Sequence, residues 1–179
     1  MRKIDTKLNE ETEKAIKFLV NANPKEGEKP VIFHSIKVGF YLYENCYNKE
    51  IVIVGLLHDL LEDSDTAYEK IQKEFGEKVA KLVKANSYDK NIQGKTVEDK
   101  IARYQQTLNQ CLKMGKQALI VKAADILDNS YYYHLAPDKI QRLWLSKKMK
   151  DFIDRSAPFI KNETVWKDLN KQYETLSKK

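Results

Sequence analysis

Apolar residues recur along most of this chain at three- and four-residue spacings and nowhere in a sustained alternation of two, a pattern that predicts helices and no strands. Leu8, Ala15, Ile16, Leu19 and Val20 place an amphipathic helix over residues 5–22. The segment 23–30 (NPKEGEKP) is a loop by its proline, glycine and charge. Helices are expected next over 31–47 and 49–63. Ser64, Asp65 and Thr66 break the pattern and can cap a helix over 67–75, because short side-chain oxygens accept the free N–H groups of a first turn. Gly76 separates that helix from one over 77–86, as a glycine at a helix C-terminus does. Residues 87–95 are polar and lack apolar periodicity, which makes them a loop. Helices over 96–114, 116–134, 138–153 and 158–176 complete the chain. Gly115 and Pro137 mark the joints, and Pro158 is expected to open the last helix at its first turn. The expected fold is all-α, one domain over residues 1–179.

Two of these helices carry polar residues where the pattern calls for core. Ile51, Val52, Ile53, Val54, Leu56, Leu57, Leu60 and Leu61 cover the third helix nearly all round, which buries it. His58 and Asp59 fall inside that run. An ionised carboxylate buried without compensation costs several kcal/mol or more, so Asp59 must be paired or bound to a cation. Adjacent side chains diverge by about 100° on a helix, so the two meet one ion only at the edge between their faces. The dipeptide alone also fits a histidine bonded to a backbone carbonyl beside an aspartate paired with lysine. Glu62 and Asp63 extend the cluster at the spacings that share a helix face, and four such groups repel one another unless a cation balances them. A second interruption is Asp125, set among Leu119, Ile120, Val121, Ala123, Ala124, Ile126 and Leu127, with Asn129 one turn on. His34 opens another apolar helix. The chain has three histidines, and the third, His134, follows three tyrosines at a helix end and reads as a surface residue.

Composition narrows the function classes. Of 179 residues, 42% are hydrophobic and 32% charged, with six Gly and four Pro, the profile of a soluble helical protein. The apolar run 51–57 is too short to span a bilayer, and the N-terminus lacks the apolar core of a signal peptide, so a cytoplasmic location is expected and no membrane partner. Cys46 and Cys111 lack any CxxC or zinc spacing and read as packing residues. The net charge of +6 comes mostly from lysine and favours an anionic small molecule. Nucleic acid is the weaker alternative, since no Arg-rich stripe or helix-turn-helix signature is present.

The ordered set His34, His58-Asp59, Asp125 resembles the H…HD…D pattern of the HD-domain phosphohydrolases. Within that superfamily the chain is most similar to the hydrolase domain of the RelA/SpoT-type alarmone enzymes and their small stand-alone relatives. GLLHDLLEDSD looks like that family's A-L-L-H-D-x-x-E-D-T, FGEKVAKLV like its F-G-x-x-V-A-x-L-V, and VKAADILDN like its V-K-L-A-D-R-L-x-N. KPVIFHS partly fits x-P-Y-x-x-H-P. The resemblance runs from about Lys25 to Asn129 and thins into the C-terminal helices.

It implies a helical HD-domain bundle and a divalent metal, usually manganese, held by His34, His58, Asp59 and Asp125. It implies Glu62 and Asp63 as the catalytic pair, and removal of the 3′-pyrophosphate from ppGpp or a close relative. Asn129 matches a nucleotide-binding position, and Lys122 and Arg103, with Lys100, are candidates for phosphate contacts. Where the family carries an Arg-Lys pair beside the guanine, this chain has Pro24 and Lys25, so Lys25 is the expected phosphate-facing charge and guanine stacking is expected to be weaker. Ser35, Ile126 and Asp128 also depart from the family's pattern. The same chemistry on another phosphorylated nucleotide or metabolite, and a non-catalytic nucleotide-binding regulator, are the alternatives. Oligomeric state is not encoded in these features.

Overall fold

The computed structural model describes residues 5–25, 30–92, 96–136 and 138–178. Among them are ten α-helices, one 3-10 turn and no strand. The helices are α1 (Thr6–Asn21), α2 (Val31–Glu44), α3 (Lys49–Leu57), α4 (Leu60–Asp63), α5 (Tyr68–Phe75), α6 (Glu77–Asn86), α7 (Val97–Met114), α8 (Lys116–Ser130), α9 (Lys139–Ile160) and α10 (Thr164–Ser177). No helix among the described residues is long and apolar enough to cross a membrane.

The chain starts its helices with side-chain acceptors. Asp5, Asn48 and Asp138 each accept an N–H from three residues on, and Thr96 forms a reciprocal capping box with Asp99. Such caps are worth about 1 kcal/mol each, because they satisfy donors that have no partner within the helix. Gly76 and Gly115 end α5 and α7 with φ of +88° and +93°, a region that side-chain-bearing residues rarely enter.

Helix α3 is the centre of the molecule. Residues 51–57 are all buried, packed by α1, α2, α6 and α8. Removing each of its large aliphatic side chains from water contributes about 1.5–3 kcal/mol. The α2–α3 crossing is set by two glycines. A Cβ on Gly39 would lie 2.4 Å from Leu56 Cγ, and one on Gly55 would lie 2.6 Å from Leu42 Cδ1. The two backbones meet there without side chains between them, and that approach brings His34 on α2 beside the end of α3.

Several boundaries differ from the expected ones, for local reasons. The helix expected over 49–63 is interrupted at His58–Asp59, dividing it into α3 and α4. The His58 Nδ1–H donates to the Gly55 carbonyl at 2.9 Å, taking one of the acceptors left over at a helix end. Ser64 does not cap α5: its hydroxyl donates to the Leu60 carbonyl at 2.7 Å and closes α4, while Ala67 occupies the cap position. Helix α2 stops at Glu44 rather than 47, and α8 stops at Ser130 rather than 134, followed by a 3-10 turn, Tyr133–Leu135. Pro158 opens nothing; it lies inside α9, which runs on to Ile160. Buried Phe152, Ile153, Ser156 and Ile160 keep the helical register against the core past the missing N–H. Cys111 is buried as expected, but Cys46 is exposed, with φ of +60°. The expected joint at Pro137 and residues 26–29 and 93–95 of the two long loops lie outside the described residues.

Candidate active site

Four side chains from α2, the α3–α4 break and α8 converge in the interior. His34 Nε2 lies 3.6 Å from Asp59 Oδ2 and 3.3 Å from Asp125 Oδ1. His58 Nε2 lies 3.1 Å from Asp59 Oδ1 and 3.7 Å from Asp125 Oδ1. The imidazoles are 1% and 0% exposed. One ligand-type atom from each of His34, His58 and Asp59 lies within 4.8 Å of the others. The interruption between α3 and α4 matters here, because Asp59 has left regular helix geometry (φ −92°, ψ −5°) and its carboxylate turns toward the same point as His58 Nε2.

The outer nitrogens fix the tautomers. A carbonyl only accepts, so His58 Nδ1 carries a hydrogen toward Gly55. His34 Nδ1 donates to Asp128 Oδ2 at 2.6 Å. Both Nε2 atoms therefore face inward, buried, and neither has a hydrogen-bond partner among the described residues. In the neutral ring each presents a lone pair to carboxylate oxygens, an arrangement that is repulsive unless a cation stands between them. The donor set fits a divalent ion: two neutral imidazole nitrogens and two carboxylates, each ring oriented by a bond from its other nitrogen.

The electrostatics agree. Burial pulls the His58 imidazolium down, but Asp59 and Asp125 outweigh it and raise its pKa to about 10, a measure of how strongly this point attracts positive charge. Burial raises Asp125, yet Lys122, 2.9 Å away, and the two histidines hold it well below the ordinary carboxylate range. Lys122 is raised in turn: burial opposes its charge, and Asp125 and Glu62 more than restore it.

Above this cluster opens a cavity of about 280 Å³. Its inner lining is acidic, with Asp59, Glu62, Asp63 and Asp125. Cations, namely Lys100, Arg103, Lys122 and Lys148, and the rings of Tyr88, Tyr104 and Trp144 also line it. Glu62 accepts the Tyr88 N–H at 2.8 Å. Burial first, then Asp59 and Asp63, push the Glu62 carboxyl up to about 8, against Lys122 and the Tyr88 N–H.

An HD-domain family model matches residues 13–150, which span this whole cluster. The chain belongs to the HD-domain family. Among curated proteins this HD-domain chain is similar to a guanosine-3′,5′-bis(diphosphate) 3′-pyrophosphohydrolase of Aquifex aeolicus, 31% identical over 88% of this chain and 22% of that protein. It is also similar to the guanosine-3′,5′-bis(diphosphate) 3′-pyrophosphohydrolase MESH1 of Drosophila melanogaster, 34% identical over 57% of this chain and 55% of that one. The match thus spans about a fifth of the first relative and about half of the second. In three dimensions the chain matches a solved structure described as a metazoan ortholog of SpoT that hydrolyses ppGpp. The TM-score is 0.75, with 23% identity and 98% of each chain covered, which shows a shared fold.

The HD-domain chain brings most of the sequence-selected residues to one place. His34, His58, Asp59 and Asp125 form the cluster, and Glu62, Asp63, Lys122, Arg103 and Asn129 line the cavity. Asn129 donates to Asp125 Oδ1 at 2.5 Å and so holds that carboxylate. Arg103 donates to the Ile92 carbonyl at 2.8 Å and stacks 3.9 Å from the Tyr88 ring, which ties it to the segment that holds Glu62. Lys25 stands apart: its side chain is 73% exposed, its ammonium pairs with Asp65 at 3.4 Å, and it borders a separate surface depression. Its backbone N–H donates to the Asp63 carbonyl at 2.7 Å, so the loop touches α4 through main chain rather than charge. His134 is exposed, as its position suggested. Sequence reasoning missed the contact of Asp128 with His34, the seating of Glu62 by Tyr88, and Trp144 and Lys148 in the lining. Only Asp128 carried a signal, being three residues from Asp125 and so on its face of α8.

Proposed function

We propose that this chain is a metal-dependent phosphohydrolase that removes the 3′-pyrophosphate from ppGpp or its close relatives, with His34, His58, Asp59 and Asp125 holding the ion. The observation that carries the reading is the pair of buried, inward-facing Nε2 atoms opposite two carboxylates, at the base of a cavity lined by four cations. The activity for which the relatives are named supplies the substrate class. Manganese suits a mixed imidazole and carboxylate set, which iron, cobalt or zinc would also satisfy. When bound, such an ion lowers the pKa of water and offsets charge on the attacked phosphate.

The chain's own groups do the rest. Lys122 and the other cavity cations hold the anionic substrate over the cluster. Glu62, held in place by the Tyr88 N–H at the edge of the cluster, accepts the proton of the attacking water. Asp63, next along α4, orients that water with it. The bond between the 3′-oxygen of the ribose and its pyrophosphate breaks, leaving a 3′-hydroxyl and free pyrophosphate. We place this activity, on a diffusible nucleotide, in the cytoplasm.

The test is chromatography of products after incubating the manganese-loaded chain with ppGpp, pppGpp and a panel of other phosphorylated nucleotides. Pyrophosphate release from the first two is expected, and fast cleavage of a different nucleotide with neither alarmone touched would redirect the substrate assignment. In parallel, His58→Ala and Asp125→Ala should each lose the ion by elemental analysis; full metal content in both would remove the ligand assignment.

A further inference from the structure

Two helices each contribute one member of the metal cluster and, three residues on, one member of a second pair. On α2, His34 is followed by Lys37; on α8, Asp125 is followed by Asp128. Residues three apart share a helix face, so the second pair lies beside the first. Asp128 is buried, and its carboxylate is divided: Oδ2 accepts from His34 Nδ1 at 2.6 Å, and Oδ1 is bonded to the Lys37 ammonium. Lys37, 36% exposed, is flanked by aromatic rings. Its nitrogen lies 5.8 Å from the Phe33 ring and 5.6 Å from each of Tyr131 and Tyr132, distances at which aromatic faces attract a cation. The arrangement runs from the surface to the buried histidine through charged contacts.

An anionic partner on the outer nitrogen of a ligating histidine fixes the ring and makes its inner nitrogen a better donor. A lysine that shares the same carboxylate opposes the second effect without disturbing the first. We propose that Asp128 and Lys37 are positioning residues that set how tightly the cluster holds its ion. Asp128 keeps His34 turned inward and strengthens it as a donor. Lys37 draws off part of the Asp128 charge and holds the affinity below what the carboxylate alone would give. The inference rests on His34 being a ligand.

The experiment is a Mn²⁺ titration of the full, chelator-treated chain, with free ion read by electron paramagnetic resonance and folding checked by circular dichroism. Asp128→Asn keeps an oxygen for the Nδ1–H but loses the charge, and should weaken binding by about 10- to 100-fold. Lys37→Met should tighten it: methionine still packs among the three rings, and Asp128 is left wholly to His34. Opposite signs from the two variants are the signature, since a purely structural ion pair would give losses in both. Unchanged affinity in Asp128→Asn, or weaker binding in Lys37→Met, overturns the proposal. Should Asp128→Asn fail to fold, the Lys37→Met sign decides alone. His58→Ala serves as the reference: it should abolish binding, and if it does not, the ligand assignment falls and this inference with it.

Discussion

Glu62 is the residue at which burial, charge and chemistry meet most directly. Its carboxyl is pushed up to about 8 from an ordinary 4.5, so between those values the folded chain holds a proton that the unfolded chain releases. Glu62 thus disfavours the folded state increasingly as pH rises from about 4.5 to 8, by at most about 1.4 kcal/mol per pH unit. Glu62→Gln, which does not titrate, should flatten the pH dependence of urea stability in the chelator-treated protein over that window. An identical slope in both proteins would refute the assignment. The same substitution should leave metal content intact while lowering turnover by about 100- to 10,000-fold, the usual range for a general base. Wild-type turnover in Glu62→Gln would remove it from the chemistry. Residue identity was legible here because polar groups stood in apolar runs. Side-chain direction was not. Lys25 and Arg103 are charged residues a cavity would want, yet Lys25 faces Asp65 outside it, and Arg103, which lines the cavity, is tied there to Ile92 and Tyr88. Those partners lie in the loops at 64–66 and 87–92, whose paths periodicity does not reveal.

At the scale of elements, the helical pattern and most boundaries followed from periodicity, glycines and caps, and the misses have two causes: burial against the core overrode one local signal, and a local side-chain bond overrode another. Pro158 reads as a helix start, but Ile160 is 1% exposed and holds α9 on the core beyond it. The apolar run through His58 reads as one helix, but the imidazole bonds the Gly55 carbonyl and turns the chain. The Gly39–Gly55 approach was invisible because a glycine in an apolar helix carries no mark of what crosses it. Its consequence is testable. Gly39→Ala would place a methyl 2.4 Å from Leu56 Cγ, so α2 and α3 must move apart or Leu56 must leave its rotamer. Overpacking of this kind costs about 1–3 kcal/mol, measurable as a lower urea midpoint at unchanged slope. Because the crossing also sets His34 against His58, weaker Mn²⁺ binding should accompany the loss. Unaltered stability and affinity would mean that the glycines do not govern the crossing.

Over the whole molecule, the excess of six positive charges is less informative than where four of the cations stand. Lys100, Arg103, Lys122 and Lys148 line the cavity that also exposes Asp59, Glu62, Asp63 and Asp125. A substrate with a pyrophosphate at each end of a nucleoside can meet the buried His-Asp cluster with one end and the cations with the other. Three of the four are tied within the protein: Lys122 pairs with Asp125 at 2.9 Å, Arg103 donates to Ile92, and the Lys148 ammonium stands 5.4 Å from the Tyr104 ring and 5.5 Å from the Trp144 ring. Lys100 and Lys148 can be substituted with the Lys122–Asp125 pair and the Arg103–Ile92 bond kept, and Lys25 is the comparison, because its ammonium lies with Asp65 outside the cavity. Contacts made equally in the bound substrate and the transition state alter KM and leave kcat in place. Lys100→Ala and Lys148→Ala should each raise KM for ppGpp several-fold with kcat little changed, and raised salt should shrink the difference from wild type by screening the same charges. Lys25→Ala should shift KM less than either. A larger KM effect at Lys25 than at both cavity lysines would mean that the substrate's distal phosphates leave the cavity and run over the loop toward Asp65, placing the specificity surface on α1 and α4 rather than on α7 and α9.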